Sequence, residues 1–187
     1  ASRGLGTNLL RRRRFDPHLK SVHCQNVACT AVDSPNTLVS VGNVGMKPSI
    51  ALNEGGIPLV TYFDVTNLDL AVAYCMDLTC TSAVGSRLDG SGFSTGFNSY
   101  ATRGADGNLL ITYLDDQGAL WAGHCGGAAC SSITRQHVAT GTTVVGRAPV
   151  TIGVDGLPLI AFYDSTAKNL RVLHCANPWC VPYASQR

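Results

Sequence analysis

Cys75-Met-Asp-Leu-Thr-Cys80 is the stretch on which the reading of this chain turns. The same Cys-x4-Cys spacing returns at Cys24/Cys29, Cys125/Cys130 and Cys175/Cys180, and no cysteine is left over. The first cysteines of successive pairs lie 51, 50 and 50 residues apart. The chain is therefore one unit of about 50 residues written roughly four times, the signature of a repeat architecture.

Within one pair, a two-residue hairpin loop of Asp77 and Leu78 would make Met76 and Thr79 the hydrogen-bonded closing pair. The cysteines would then be the next pair out, about 4.5 Å apart at Cα, within reach of a disulfide. Gly126-Gly127 and Asn177-Pro178 supply turn residues in the third and fourth units. Metal ligation is the rival reading, because His23, His124 and His174 each precede a first cysteine. Adjacent strand residues point to opposite faces, however, so each His would diverge from its Cys, and Tyr74 holds the position in the second unit. Four local disulfides are the favoured reading. They imply an oxidising compartment, and a secreted or extracellular protein is expected.

The rest of the unit reads as strands. Pro48–Leu52, Ser99–Thr102 and Pro149–Ile152 are matched first segments. Turns at Asn53–Gly56, Ala105–Gly107 and Val154–Gly156 follow, two of them containing the hairpin signal Asp-Gly. Next come Pro58–Asp64, Asn108–Asp115 and Pro158–Asp164, rich in β-branched and aromatic residues. Leu70–Cys75, Leu120–Cys125 and Leu170–Cys175 are third strands. Ser82–Leu88 and Ser131–Val138 are polar fourth strands.

Each unit is thus a four-stranded antiparallel meander, and stacking such sheets radially buries both faces. The expected fold is all-β, a propeller-like array of about four blades with the first and last incomplete. A β-sandwich is the rival, but it does not require the 50-residue period. The expected organisation is a basic N-terminal segment or partial strand at 1-18, then a single repeat domain at 19-187 with units of about 19-44, 45-95, 96-145 and 146-187.

The first unit departs from the pattern. Leu19–Cys24 matches a third strand and Cys29 to about Leu38 a fourth. Asn8-Leu-Leu10 resembles Asn108-Leu-Leu110, but Arg11, Arg12, Arg13 and Arg14 stand where other units carry strand residues. That run reads as a solvated tail, a contact for phosphate or acidic glycans, or a basic processing site with cleavage after Arg14. The last unit stops soon after Cys180.

Charged residues make up 14% of the 187 and net charge is +2, which argues against disorder and against a nucleic-acid partner. No apolar stretch approaches the ~18 residues of a membrane span. The N-terminus lacks an apolar signal segment, so a processed or truncated end is expected.

The unit carrying Pro48, Gly56, Pro58, Tyr62, Asp64, Leu70 and Cys75/Cys80, with its equivalents over about residues 40 to 180, resembles a disulfide-containing repeat of secreted bacterial β-propeller proteins with a sialidase-like blade layout. The Asp-box of sialidases (Ser-x-Asp-x-Gly-x-Thr-Trp) is absent, and no arginine triad stands in recognisable context. The resemblance implies a fold rather than a chemistry.

Candidate binding residues are Asp64, Asp115 and Asp164, at the end of each second strand, and Trp121 and Trp179. The aspartates could hold Ca²⁺ or a sugar hydroxyl, but the favoured role is to accept backbone N–H groups of the turn each opens. Exposed tryptophans would stack on pyranose rings, and packing under a loop is the competing role. His23, His124 and His174 are expected between blades rather than in a metal or pH-sensing cluster. No catalytic residue, metal site or cofactor is expected, since no Walker loop, His-Glu-x-x-His or Gly-x-Ser-x-Gly occurs.

The expected function is an extracellular, non-catalytic binding module for a carbohydrate or a surface protein. A structural protein forming homo-oligomers or polymers through its incomplete ends is one alternative. A glycan-cleaving enzyme, which needs two carboxylates about 5–9.5 Å apart in one cleft, is the other.

Overall fold

The computed structural model describes residues 16–90, 94–139 and 142–180. The Arg11–Arg14 run and the residues after Cys180 lie outside them. The described residues form strands, turns and loops with no helix, in four antiparallel sheets that follow the cysteine repeat.

The first sheet pairs only β1 (Leu19–Ser21) with β2 (Asn36–Val39). The second runs β3 (Met46–Leu52), β4 (Pro58–Asp64), β5 (Asp69–Cys75), β6 (Ala83–Arg87) in simple meander order. The third repeats it with β7 (Thr95–Arg103), β8 (Leu109–Asp115), β9 (Leu120–Cys125) and β10 (Ile133–Ala139). In the fourth, β11 (Val144–Val145) and β12 (Val150–Ile152) both pair with β13 (Pro158–Asp164), so they are two pieces of one first strand; β14 (Asn169–His174) pairs with the other side of β13. The third strand expected at Leu19–Cys24 is only three residues long, with an isolated bridge from Cys24 to Val32 beyond it. Among the described residues β1 has a partner on one side only, which leaves half its ladder unmade.

All four cysteine pairs are disulfides, with Cα separations of 4.8 to 4.9 Å. Their place in the hairpin differs from the expected cross-strand register. Cys75 pairs with Ala83, Met76 N donates to Ser82 O, and Cys80 lies inside the loop with a left-handed backbone (φ 55°). A tight turn from Cys80 N to Asp77 O sets that conformation, and Cys29, Cys130 and Cys180 repeat it. The bond therefore closes the loop on itself; it does not clamp two facing strand residues.

Successive sheets pack face to face, because alternate residues of each buried strand point to opposite sides. Leu59, Leu70 and Val72 of the second sheet meet Ile111, Tyr113 and the Cys125–Cys130 loop of the third. Leu110, Leu120 and Ala122 on the other face of the third meet Ile160, Phe162 and the Cys175–Cys180 loop of the fourth. The same arrangement joins Leu19 and Leu38 to Tyr62, Ala73 and the Cys75–Cys80 loop. Each leucine so buried contributes roughly 1.5–3 kcal/mol. The face of the fourth sheet that would meet a further sheet is open: Leu170 is 73% exposed where Leu70 and Leu120 are fully buried.

The first strands lie side by side. Ser49 Oγ accepts from Ala101 N at 3.1 Å, the Thr61 and Ser99 hydroxyls bond at 3.1 Å, and the Thr112 hydroxyl donates to Ala148 O. These bonds satisfy the buried Thr61, Ser99 and Thr112 hydroxyls at the two junctions they cross.

Candidate functional site: the face where the first strands begin

The turns between second and third strands and the starts of the first strands share one end of the stack. Val65 N donates to Asn43 O, Asp116 N to Ser94 O and Ser165 N to Thr143 O, which ties each turn to its own blade's first-strand approach. Further bonds, Thr95 N to Leu68 O and Val144 N to Gly118 O, reach the turn of the preceding blade.

Lys47, Asn98 and Arg147 hold equivalent positions in the early part of the first strands, by register: Ser49, Tyr100 and Pro149 two residues on face Thr61, Thr112 and Ala161. Lys47 and Asn98 both have left-handed backbones (φ 52° and 54°) at bulges in the first-to-second strand pairing. Bulges re-aim side chains and are frequent beside functional sites. Arg147 Nη2 donates to Pro48 O at 3.2 Å, bringing a fourth-sheet side chain to the first strand of the second sheet. A cleft of about 410 Å³ opens beside Asn98, between the third sheet and the approach to the fourth, and Phe97, Asn98, Asp115, Asp116, Gln117 and Thr143 are among its walls.

Asp64, Asp115 and Asp164 all stand at this end, each engaged with its own turn. Asp64 Oδ1 accepts from Thr66 N and Asn67 N at 3.0 and 3.1 Å. Asp115 Oδ1 accepts from Gln117 N and Ala119 N, and its Oδ2 from Trp121 Nε1 at 3.0 Å. Asp164 accepts from Thr166 N and Ala167 N, with Arg171 Nη1 3.1 Å from its second oxygen. The Ala167 N–H foremost, with help from Arg171 and the Thr166 N–H, holds the Asp164 carboxyl below its ordinary range. These oxygens are occupied by turn donors and by the Trp121 and Arg171 side chains, and the described residues contain no group of three or more His, Cys, Asp or Glu arranged for a metal.

The two tryptophans are not brought together. Trp121 is half-buried, with the Arg135 guanidinium 5.5 Å from its ring and His137 beside it. Trp179 belongs to a cysteine loop at the opposite end, its ring 5.5 Å from that of His124. His124 and His174 lie near the aspartates of their own strand turns, Asp106 at 3.1 Å and Asp155 at 2.8 Å, and His23 sits 3.3 Å from Asp33.

Two buried acid clusters went unread in the sequence. Asp89 accepts from Tyr113 Oη at 3.1 Å and from Arg135 Nη1, and its side chain is sealed from solvent. Asp69 sits 3.3 Å from Arg87, and burial raises its carboxyl above the ordinary range despite that arginine. Lys47, Asn98 and Arg147 were also missed, because the apolar pattern begins just after them. Gly45 and Gly96, each two residues before a start position, were the available signal.

No protein-family model matches the sequence. No curated protein matches it either. Solved structures do share its architecture, which is that of propeller-fold proteins. A GH43 glycoside hydrolase engineered for both endo-xylanase and exo-arabinofuranosidase activity superposes with TM-score 0.55 over 81% of this chain, at 11% identity. The α-L-arabinanase of Penicillium chrysogenum gives 0.52 over 77%, at 17% identity. A protein of unknown function from Dyadobacter fermentans gives 0.62 over 86%, at 11% identity. The chain spans between 30% and 48% of the length of these three. At such identities the likeness establishes the fold. It also corrects the expectation of a non-catalytic binding module, because the characterised neighbours are glycoside hydrolases, the class of the glycan-cleaving alternative.

Proposed function

We propose that the chain forms blades of a secreted propeller enzyme that cleaves glycosidic bonds in a polysaccharide. The observation that carries this reading is its superposition on glycoside hydrolases named for arabinan, arabinofuranoside and xylan substrates. Four disulfides suit the oxidising compartment where polysaccharides are met.

Glycoside hydrolysis uses paired carboxyl groups, one to protonate the leaving oxygen and one to activate water or attack the sugar. In the cleft beside Asn98, Asp115 is committed to its turn. Its neighbour Asp116 is exposed and lines the same cleft with no side-chain partner among the described residues. Asp116 is the carboxylate placed to serve as base or nucleophile, with Asn98 and Gln117 beside it as hydrogen-bonding partners for sugar hydroxyls. The test is release of reducing ends from arabinan and xylan by the full chain. Hydrolysis that Asp116→Asn abolishes while folding is unchanged supports the reading. Hydrolysis unaffected by that change removes Asp116 from the chemistry, and no hydrolysis of any glycan overturns the reading.

A further inference from the structure

We infer that the ligand of this face carries negative charge: Lys47 and Arg147 form a subsite for the carboxylate of an acidic sugar unit, a uronosyl residue of a glycan. The inference deepens the glycan-cleaving reading and rests on it. It starts from how the cations are distributed. Among the described residues Lys20, Arg87, Arg135 and Arg171 each have an aspartate within 3.3 Å. Lys47, Arg103, Arg147 and Lys168 have none. The paired cations sit on third and fourth strands, whereas Lys47, Arg103 and Arg147 belong to first strands or their approach.

The stretches 46–52, 95–103 and 144–152 contain no Asp or Glu. The acidic residues of the strand turns, Glu54, Asp106 and Asp155, lie at the other end of these strands. Six residues of extended chain separate Lys47 from Asn53, about 20 Å, well beyond the roughly 8 Å over which salt screens exposed charges. The carboxylates at the same end are Asp64, Asp115 and Asp164, whose oxygens already accept turn, indole or guanidinium donors, and Asp116, assigned above to the reaction.

The Arg147 guanidinium is also brought to the backbone beside Lys47. The Arg147–Pro48 hydrogen bond crosses from the fourth sheet to the second and fixes the guanidinium next to the residue that follows Lys47. It uses one of five guanidinium N–H donors, and the rest have no partner among the described residues. Both side chains are exposed. Asn98, at the equivalent position on the strand between them, adds a neutral donor and acceptor. A planar guanidinium with a nearby ammonium and amide suits a carboxylate attached to a hydroxylated ring.

The test compares binding of an oligogalacturonate and of its carboxyl-reduced, neutral counterpart by calorimetry at two salt concentrations. Variants Lys47→Asn and Arg147→Gln are measured beside the parent chain. Asn is chosen because Asn98 already holds the same left-handed conformation, and Gln keeps a donor for Pro48 O. The expected result is preference for the acidic oligomer, weakened by added salt and reduced about tenfold by either variant without change in melting temperature. Equal or tighter binding of the neutral oligomer overturns the inference, even where the chain hydrolyses neutral glycans and the enzymatic reading stands. Acid-selective binding untouched by both variants overturns it as well. Acid-selective binding lost in the variants, with no hydrolysis of any glycan, upholds the subsite while the enzymatic reading falls.

Discussion

Gly96 lies against Leu70 so closely that a Cβ on the glycine would fall 2.5 Å from the leucine Cα. Gly45 stands in the same relation to Leu19, the equivalent residue one unit earlier, at 2.8 Å. Both glycines have left-handed backbones, with φ of 97° and 86°. The approach to each first strand therefore runs against the third strand of the preceding blade, at a point where any side chain would meet backbone. Gly96→Ala must strain φ and push two sheets apart, so a loss of more than about 2 kcal/mol is expected by urea denaturation. Gly90→Ala, with nothing within 4 Å of the added carbon, is the control and should stay within about 0.5 kcal/mol.

Asp89 and Arg135 join the second and third sheets through a carboxylate with no solvent exposure, also bonded by Tyr113 Oη. Arg135→Met leaves that charge buried without its main partner. The expected cost is about 3 kcal/mol, the low end of the range for breaking a buried pair, because Arg135 keeps partial contact with water. Adding Asp89→Asn should recover part of the loss, giving a coupling energy in a double-mutant cycle. Strict additivity of the two changes would show that the pair is not energetically coupled.

The four disulfides close loops of one size, so their effect on the unfolded chain is nearly equal, about 2 kcal/mol each. Their surroundings differ. Cys75–Cys80, Cys125–Cys130 and Cys175–Cys180 are wedged between sheets, whereas Cys24 and Cys29 are exposed. Stepwise reduction with alkylation and mass spectrometry should label Cys24 and Cys29 first. Replacing both members of a pair by Ala should cost about 2 kcal/mol more at Cys75/Cys80 than at Cys24/Cys29, through lost packing. Simultaneous labelling of all eight cysteines would contradict this ordering.

Why was the architecture legible while the site was not? The second strands, Pro58–Asp64 and Pro158–Asp164, match their expected bounds because strand propensity, Pro at the start and Asp at the turn agree. The cysteine register was misread because a left-handed Cys is a conformational exception that composition does not announce, and it depends on the turn hydrogen bond to Asp77 O. Lys47, Asn98 and Arg147 were invisible for a different reason. They precede the apolar pattern, differ in type from unit to unit, and become a group only when three first strands lie side by side. The turn role weighed for Asp64, Asp115 and Asp164 is local chemistry within four residues or so, which a sequence displays directly.

Alkaline pH should unfold the stack through its buried tyrosines. Tyr62 is 3% exposed, and burial, with the nearby Asp64 charge, pushes its hydroxyl up to about 12. Burial raises Tyr113 as well, with the Asp89 charge adding to it. In the unfolded chain both would ionise near the ordinary value of about 10. A group with a raised folded value stabilises fully below its unfolded value, so its contribution is intact at pH 8. As pH climbs above 10 the unfolded chain sheds these protons while the folded one retains them, and stability falls until the folded value is passed. For Tyr62 the shift of about two units corresponds to a loss on the order of 2–3 kcal/mol. Urea midpoints measured from pH 8 to pH 12 should therefore decline above pH 10. Tyr62→Phe should flatten part of that decline, because the phenyl ring keeps the packing and removes the proton. A decline of the same steepness in Tyr62→Phe would assign the alkaline loss to other groups.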